Sequence, residues 1–482
     1  MATRAPVLII DGEKVSTREQ LEILNPADRS VAGLAPKAGA AELDRAVAAA
    51  TAAQRSWAHI AWSDRAAYLV KIAEVLETNA DELARLETSE QGKPVASALR
   101  EIMAAAAICR GGAAMELAPE IIEDSERHKV IVYREPLGVV AAIIPWNFPV
   151  LIGFMKIALA LLAGNSVIVK PSPFTPLTML RIMELLEDTL PKGVLCALSG
   201  DDNLGPLITS HVGIAKISFT GSTATGKRVM ESASRNLARV TLELGGNDAS
   251  IIMPDVDVEA IAETLFWTAF HNSGQVCIAA KRMYVHDAIY DRVAAALVAI
   301  ARRVKVGNGA DEGVMLGPIQ NAAQFERVKQ LIEDSHAEGH SFLVGGNVAD
   351  SEGYFIPICI VDNPPEESRV VQEEAFGPVL PLLRFDNVDE VIERANATPF
   401  GLGATVWCAD EAQAANIAAR LDTGSVWINE LQNTSPLVPF SGRGLSGLGV
   451  EGGIDGLSEF TSIKTVLIGK AAQPAAAATA KS

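Results

Sequence analysis

The chain places one cysteine in a glycine-bearing stretch, Phe270-His271-Asn272-Ser273-Gly274-Gln275-Val276-Cys277-Ile278-Ala279-Ala280-Lys281-Arg282. A cysteine in such a loop can be reached by a ligand, and nearby backbone amides can be aimed at the oxygen of an adduct. The thiolate is the nucleophile, and local positive dipoles are expected to favour it. The competing reading is a small buried hydrophobe, the ordinary fate of a free cysteine. Leu242-Glu243-Leu244-Gly245-Gly246-Asn247 sets a carboxylate in apolar surroundings beside a flexible glycine pair. Burial there raises its pKa and suits it to act as a general base near neutral pH. Pro145-Trp146-Asn147-Phe148-Pro149 and Val167-Ile168-Val169-Lys170-Pro171-Ser172 each put a polar side chain just after a short apolar run. Taken singly, Asn147 reads equally as a turn residue, Lys170 as a surface charge and Glu243 as an ion-pair partner.

These residues need elements to hold them. The pattern predicts a helix over 258–270 and a strand over 282–285, with Cys277 in the loop between. From Gly138 onward, apolar runs at 139–144, 166–169, 194–198 and 215–219 alternate with helical stretches at 150–162, 178–189 and 225–234. That rhythm is the βαβ signature of a doubly wound parallel sheet, whose ligands bind beyond the C-terminal strand ends. A second α/β rhythm begins at 248–253 and runs to 426–428, and residues 457–469 read as a closing strand. Upstream, residues 7–35 read as short strands and turns, followed by alanine-rich helices at 41–57, 64–90 and 95–117. Ser63 is the expected cap of the second of these helices. Residues 120–136 are polar and strand-like, and the Ala/Pro-rich stretch 471–482 reads as disordered.

At 482 residues the length fits about two to four domains. A net charge of −18 argues against a nucleic-acid or anionic-membrane partner, which requires basic patches. Five scattered cysteines, Cys109, Cys196, Cys277, Cys359 and Cys408, form no ligand spacing and suggest reduced thiols in the cytoplasm. No metal motif is present, so no metal site is expected. The start of the chain carries no signal-peptide pattern. Residues 150–169 imitate a membrane span, but Lys156 and Gly164-Asn165 interrupt them, which favours a buried helix, a turn and a strand. Gly221-Ser222-Thr223-Ala224-Thr225-Gly226-Lys227 resembles a P-loop. Arg228, however, stands where the metal-binding hydroxyl belongs. The G-x-G-x-x-G patterns at Gly442-Gly444-Gly447 and Gly447-Gly449-Gly452 open no helix after a strand and are set aside.

Together the motifs resemble the aldehyde dehydrogenase superfamily, across nearly the whole chain. The resemblance is carried by Pro145-Trp146-Asn147-Phe148-Pro149, Lys170-Pro171-Ser172, Phe219-Thr220-Gly221-Ser222-Thr223, Leu242-Glu243-Leu244-Gly245-Gly246, Gly274-Gln275-Val276-Cys277, Glu373-Glu374-Ala375-Phe376-Gly377-Pro378 and Pro439-Phe440-Ser441-Gly442. It implies an α/β fold with a Rossmann-like cofactor domain (1–116 and 138–246) and a second α/β catalytic domain (247–445). A small β oligomerisation element (117–137 and 458–470) would build a homodimer or homotetramer. The implied reaction is oxidation of an aldehyde to the acid with NAD, NADP being possible, through a cysteine thiohemiacetal and thioester that is then hydrolysed.

By the same resemblance Cys277 is the nucleophile, Asn147 and the Cys277 amide hold the oxyanion, Glu243 activates water, and Lys156 and Glu451 relay the proton. Lys170, Ser172 and Pro173 lie at the adenosine ribose. Ile144, Trp146, Gly221, Ser222 and Gly226 line the adenine and pyrophosphate, Leu244 borders the cofactor, and Glu374 and Phe376 meet the nicotinamide riboside. Phe148, Leu151, Ile152 and Met155 form one helix face along the substrate tunnel, opposite His271, Val276, Ile278, Gln432, Thr434 and Phe440. Pro173 stands where NAD-preferring members often carry a glutamate. None of the tunnel positions offers a lysine or arginine to a substrate carboxylate, which leans against semialdehyde acids. The alternatives are a CoA-acylating relative, a P-loop nucleotide hydrolase and a catalytically silent structural protein of the same fold.

Overall fold

A computed structural model describes residues 6–470. The stretch 471–482, expected to be disordered, lies outside the described residues. Among those residues two large sheets dominate. The first has eight strands in the order Glu13–Val15, Leu8–Ile10, Leu195–Ala197, Ser166–Lys170, Val139–Ile143, Lys216–Thr220, Arg239–Glu243, Gly447–Leu448. Its five central strands, from Leu195–Ala197 to Arg239–Glu243, are mutually parallel. The edges are antiparallel, and one comes from Gly447–Leu448, far along the chain. Val139–Ile143 and Ser166–Lys170 are buried at every position, as strands covered on both faces must be. Chain order reverses between Val139–Ile143 and Lys216–Thr220, which places a binding crevice at their C-terminal ends.

The second sheet has seven strands, in the order Ser341–Val344, Cys359–Asp362, Val379–Phe385, Arg282–His286, Ala249–Ile252, Gly403–Trp407, Ser425–Ile428. All pairs are parallel except the first. A three-stranded antiparallel sheet joins Thr461–Gly469 to His128–Pro136 and Glu120–Asp124 within the chain. It leaves Ile121, Ile122, Ile463, Leu467 and Ile468 exposed.

The helix directly after Asn147 runs Pro149–Leu162, with proline at its first turn, where a missing N–H costs nothing. It belongs to the core of the first sheet, and no described helix is long and apolar enough to cross a membrane. The helix Val258–Phe270 falls on its predicted limits, capped by Asp257, which accepts from Ala260 N at 3.2 Å. Three helical expectations need correction. The stretch 64–90 is two helices, Trp62–Thr78 and Ala80–Gln91, broken at Asn79. Asn79 turns its own side chain back to Val75 O at 2.7 Å, an alternative to continuing the helix. Ser63 lies inside the first of these, so Ala61 holds the cap position. The third helix ends at Ala113 rather than 117, after Gly111-Gly112.

Candidate active site

The segment from His271 to Gly274 is one distorted turn. Asn272, Ser273 and Gly274 take φ of 49°, 57° and 71°, three successive left-handed residues. Only glycine adopts that region freely, so the turn is held by its surroundings. Ser273 Oγ donates to Gly317 O at 2.7 Å, and Gln275 Nε2 donates to Asn272 O at 3.0 Å. The Gln275 side-chain oxygen accepts from Gln320 N at 2.9 Å. A β-carbon at Gly274 would overlap the Gly377 carbonyl. Gly274→Ala should therefore cost most of the activity and lower the melting temperature; a variant with native turnover and native melting would contradict the clamp.

Lys281 closes the loop from the other side. Its ammonium donates to Val276 O at 2.9 Å and Cys277 O at 2.6 Å, and lies 3.6 Å from Glu374 Oε1. Cys277 is half-buried, in contrast to the other four cysteines, which are buried. Desolvation, offset in part by Lys281, pushes its thiol up to about 12; the charges of Asp248, Glu374 and Glu243 push the same way. This corrects the expectation of a dipole-favoured thiolate. Desolvation favours the neutral thiol over the thiolate, and the Lys281 ammonium offsets it only in part. The thiol needs a base at the moment of attack.

Asn147 is buried at the C-terminal end of strand Val139–Ile143. Its Nδ2 donates to Gln275 O at 3.0 Å, which ties the carboxamide to the cysteine loop. The Asn147 backbone carbonyl accepts from Lys93 Nζ at 2.8 Å and from Asn272 Nδ2 at 3.2 Å. Lys93 is itself held by Glu87 at 2.9 Å and by Glu101. Glu101 also accepts from Val150 N and Leu151 N at 2.9 and 3.0 Å, at the start of the next helix. Sequence reasoning missed Lys93, Glu101 and Lys281. Nothing in local spacing distinguishes an inward-folded lysine from the solvated kind.

Glu243 ends strand Arg239–Glu243, and neither of its carboxylate oxygens has a hydrogen-bond partner among the described residues. Desolvation, reinforced by the charge of Glu451, raises its pKa well above the usual carboxylate range, and Lys156 pulls it back. Lys156 is ion-paired with Glu451 in the interior. Glu243 and Cys277 are close enough for the carboxylate's charge to act on the thiol.

Most of the expected cofactor residues follow the C-terminal ends of strands in the first sheet. Lys170 is 5% exposed, and its ammonium has one weak acceptor, Pro171 O at 3.3 Å. Burial draws its pKa down to about 8, against the pull of Asp202 and Asp201. An ammonium with donors to spare at a strand end fits a ribose diol. Ser172 is buried and Pro173 half-buried in the same loop; Ile144 is buried and Trp146 half-buried on the neighbouring one. Ser222 caps helix Thr223–Ala233, accepting from Thr225 N at 3.3 Å. Gly226 gives way to Leu244, whose methyl groups would meet a β-carbon there at 2.5 and 2.9 Å. With Gly221, these residues leave a helix N-terminus open to a pyrophosphate. Glu374 accepts from Gly246 N at 3.2 Å, and Gly245 has no room for a side chain against that carboxylate. Phe376, at φ 48°, meets Trp146 edge to face at 5.4 Å. The residues present fit a dinucleotide. In the P-loop-like stretch, by contrast, Lys227 points into solvent from the helix.

On the tunnel side, Phe148 stacks on His271 at 5.9 Å and 16°, with Lys93 Nζ 4.2 Å from its ring centre. Leu151 and Met155 are half-buried one and two turns along, while Ile152 is buried. Val276 is half-buried and Ile278 buried on either side of the cysteine. Gln432 Nε2 reaches Thr268 O at 3.5 Å, and Thr434 is exposed. Phe440 pairs through its backbone with Glu451 in both directions, at 2.7 and 2.8 Å, which joins an expected tunnel residue to the buried ion pair.

The sequence profile of the aldehyde dehydrogenase family matches residues 13–466. A probable aldehyde dehydrogenase from a Pseudomonas species is 43% identical over 96% of this chain and 94% of its own. Glutarate-semialdehyde dehydrogenase from Pseudomonas putida is 37% identical over 93% and 94%. Among solved structures, the NAD+ complex of aldehyde dehydrogenase from Bacillus cereus superposes with a TM-score of 0.94 at 36% identity, covering 97% of each chain. Betaine aldehyde dehydrogenase from Staphylococcus aureus, also with NAD+, gives 0.93 at 32% identity, covering 97% and 95%. The nucleotide-hydrolase and CoA-acylating readings find no counterpart among these relatives. The chain belongs to the aldehyde dehydrogenase family.

Proposed function

We propose that this chain oxidises neutral, apolar aldehydes to carboxylic acids, with Cys277 as nucleophile, Asn147 as oxyanion donor and Glu243 as base. The reaction class and the nicotinamide acceptor are those of the family. The observation that carries the residue roles is convergence: the Asn147 carboxamide is bonded to the cysteine loop, and the unpartnered Glu243 carboxylate acts on the same thiol.

Cys277 Sγ adds to the aldehyde carbon while its proton passes to Glu243. The new oxyanion is held by Asn147 Nδ2 and the Cys277 N–H. Bound nicotinamide supplies the acceptor for the hydride leaving that carbon. Glu243 then takes a proton from water, whose oxygen attacks the thioester, and the acid departs as Sγ is reprotonated. Lys281 and the left-handed turn keep the loop from shifting between these steps. Asn147→Ala should slow cofactor reduction in a single turnover by about 10²–10³, the usual loss for one oxyanion donor. An unchanged single-turnover rate would remove Asn147 from the oxyanion site.

The substrate reading rests on the tunnel: none of its ten predicted residues is a lysine or arginine, and Phe148 with His271 offers a flat apolar wall. Aromatic and aliphatic aldehydes should give higher kcat/KM than semialdehyde acids; the reverse order would overturn it. NAD is preferred to NADP on this reading, although Pro173 offers no repulsion. The Asp201 and Asp202 carboxylates act on the ribose-site lysine and disfavour a 2′-phosphate. Asp202→Asn should raise the NADP/NAD ratio of kcat/KM, and an unmoved ratio would discard that assignment.

The domain roles follow. Residues 1–116 and 138–246 hold the cofactor, 247–445 the nucleophile, and 117–137 with 458–470 an assembly surface for a homodimer or homotetramer. Exposed Ile463, Leu467 and Ile468 on that surface favour burial against a second copy. Five free thiols suit a cytoplasmic setting.

A further inference from the structure

Two adjacent strands of the first sheet depart from its apolar pattern. Lys216, Ser218 and Thr220 share one face of their strand. The parallel register sets Lys216 beside Arg239, Ser218 beside Thr241 and Thr220 beside Glu243, so six polar side chains share a single face. The alternate residues Ile217, Phe219 and Leu242 pack into the apolar core on the other side. Lys216 and Ser218 are wholly buried, and Thr241 nearly so. Polar groups at that depth are costly unless partnered. Thr220 Oγ1 and the Glu243 carboxylate have no partner among the described residues, while Ser218, Thr241 and Lys216 are partnered toward the two ends of the seam. Lys156 pairs with Glu451, and Ser218 Oγ donates to the same Glu451 oxygen at 3.2 Å. Lys216 Nζ donates to Thr241 Oγ1 at 2.6 Å and lies 3.4 Å from Glu459 Oε2. The Glu459 side chain is 34% exposed, at the end of the strands remote from Glu243. Five residues at roughly 3.3 Å each carry this seam about 13 Å through the sheet.

The chemistry gives the seam a task. On the reading of Glu243 as base, that carboxylate accepts a proton twice in one turnover, first from the Cys277 thiol and then from water. One of the two returns to sulfur when the acid leaves, so one must depart before Glu243 can act again. We infer that Ser218, Thr241, Lys216 and Glu459 form the exit by which that proton passes from the Lys156–Glu451 pair to solvent.

The thiol proton moves to Glu243 as the S–C bond forms and passes on to Glu451. The Ser218 and Thr241 hydroxyls each give one proton and take one. The Lys216 ammonium releases a proton to Glu459 and is refilled from the Glu451 side. One proton enters at Glu243, one leaves at Glu459, and no group is changed at the end. Lys216 is suited to this because desolvation brings its pKa down to about 8, where gain and loss of a proton are nearly balanced.

Stopped-flow mixing of the full enzyme with aldehyde and NAD in weak buffer, with a pH indicator, reads cofactor reduction and proton release together. Lys216→Met, Ser218→Ala and Glu459→Gln should keep the wild-type burst of reduced cofactor. Proton release should lag it roughly tenfold, and the solvent deuterium isotope effect on kcat should grow. If these residues only tie the C-terminal segment to the sheet, melting temperature falls and the two signals stay in step, which overturns the proposal. Should Lys216→Met misfold, the partly exposed Glu459→Gln decides: proton release concurrent with reduction at the wild-type rate rejects the exit. Glu243→Gln run alongside separates the failures. If it stalls while the exit variants behave normally, only the exit is wrong; if it turns over freely, the base assignment falls too.

Discussion

Cys277→Ala should abolish aldehyde oxidation while leaving NAD binding and the melting temperature close to wild type. The proposed nucleophile has no substitute thiol among the described residues, because Cys109, Cys196, Cys359 and Cys408 are buried elsewhere. Removal of a covalent nucleophile leaves only binding and oxyanion stabilisation, which without the thiol have no adduct to act on. A loss on the order of 10⁴ or more in kcat is expected, by analogy with nucleophile deletions in other acyl-transfer sites. The side chain makes no described hydrogen bond that holds the fold, since the loop is fixed by Lys281, Ser273 and Gln275. Steady-state activity within a factor of about ten of wild type would show that another group performs the addition.

Glu243→Gln should separate the two halves of the reaction. The amide is nearly isosteric and cannot accept a proton, so thiol addition, left to solvent as base, is slowed, and hydrolysis stops after a single oxidation. The expected trace is one equivalent of reduced cofactor, formed more slowly than in the wild type, followed by turnover slowed by about 10²–10⁴, the range for a positioned general base. The pH dependence follows from burial. The working form is the carboxylate, and desolvation with the nearby Glu451 charge lifts its pKa well above that of an ordinary glutamate. Turnover in the wild type should therefore rise with pH through that elevated value and fall as acid protonates the group. Glu451→Gln removes a neighbouring negative charge and should move the midpoint downward; an upward movement would reverse the electrostatic assignment.

Much of this was legible because the reacting groups sit at strand ends. Val139–Ile143 and Ser166–Lys170 are short apolar runs whose last or following residues are the polar ones singled out, whereas Arg239–Glu243 carries Arg239 and Thr241 and was not read as a strand. Burial of a whole strand writes itself into composition, and the break from apolar to polar marks the edge where ligands bind. The single-turn His271–Gly274 is different. Gly274 signals a tight bend, but left-handed Asn272 and Ser273 are forced by tertiary contacts that no local pattern contains. The ionisation of Cys277 was misjudged for a related reason. Helix and loop dipoles can be anticipated from sequence, whereas the desolvation of the sulfur, with Asp248, Glu374 and Glu243 adding to it, depends on tertiary contacts. The break at Asn79 was also hidden, because amphipathic spacing continues across it.

The central claim is a covalent bond between Cys277 and the acyl group of the substrate. Glu243→Gln enzyme mixed with aldehyde and NAD, quenched and digested, should yield the Cys277 peptide heavier by the aldehyde mass less two hydrogens, in proportion to the cofactor reduced. Cofactor reduced in full with that peptide unmodified, or with the acyl group on another residue, would contradict it.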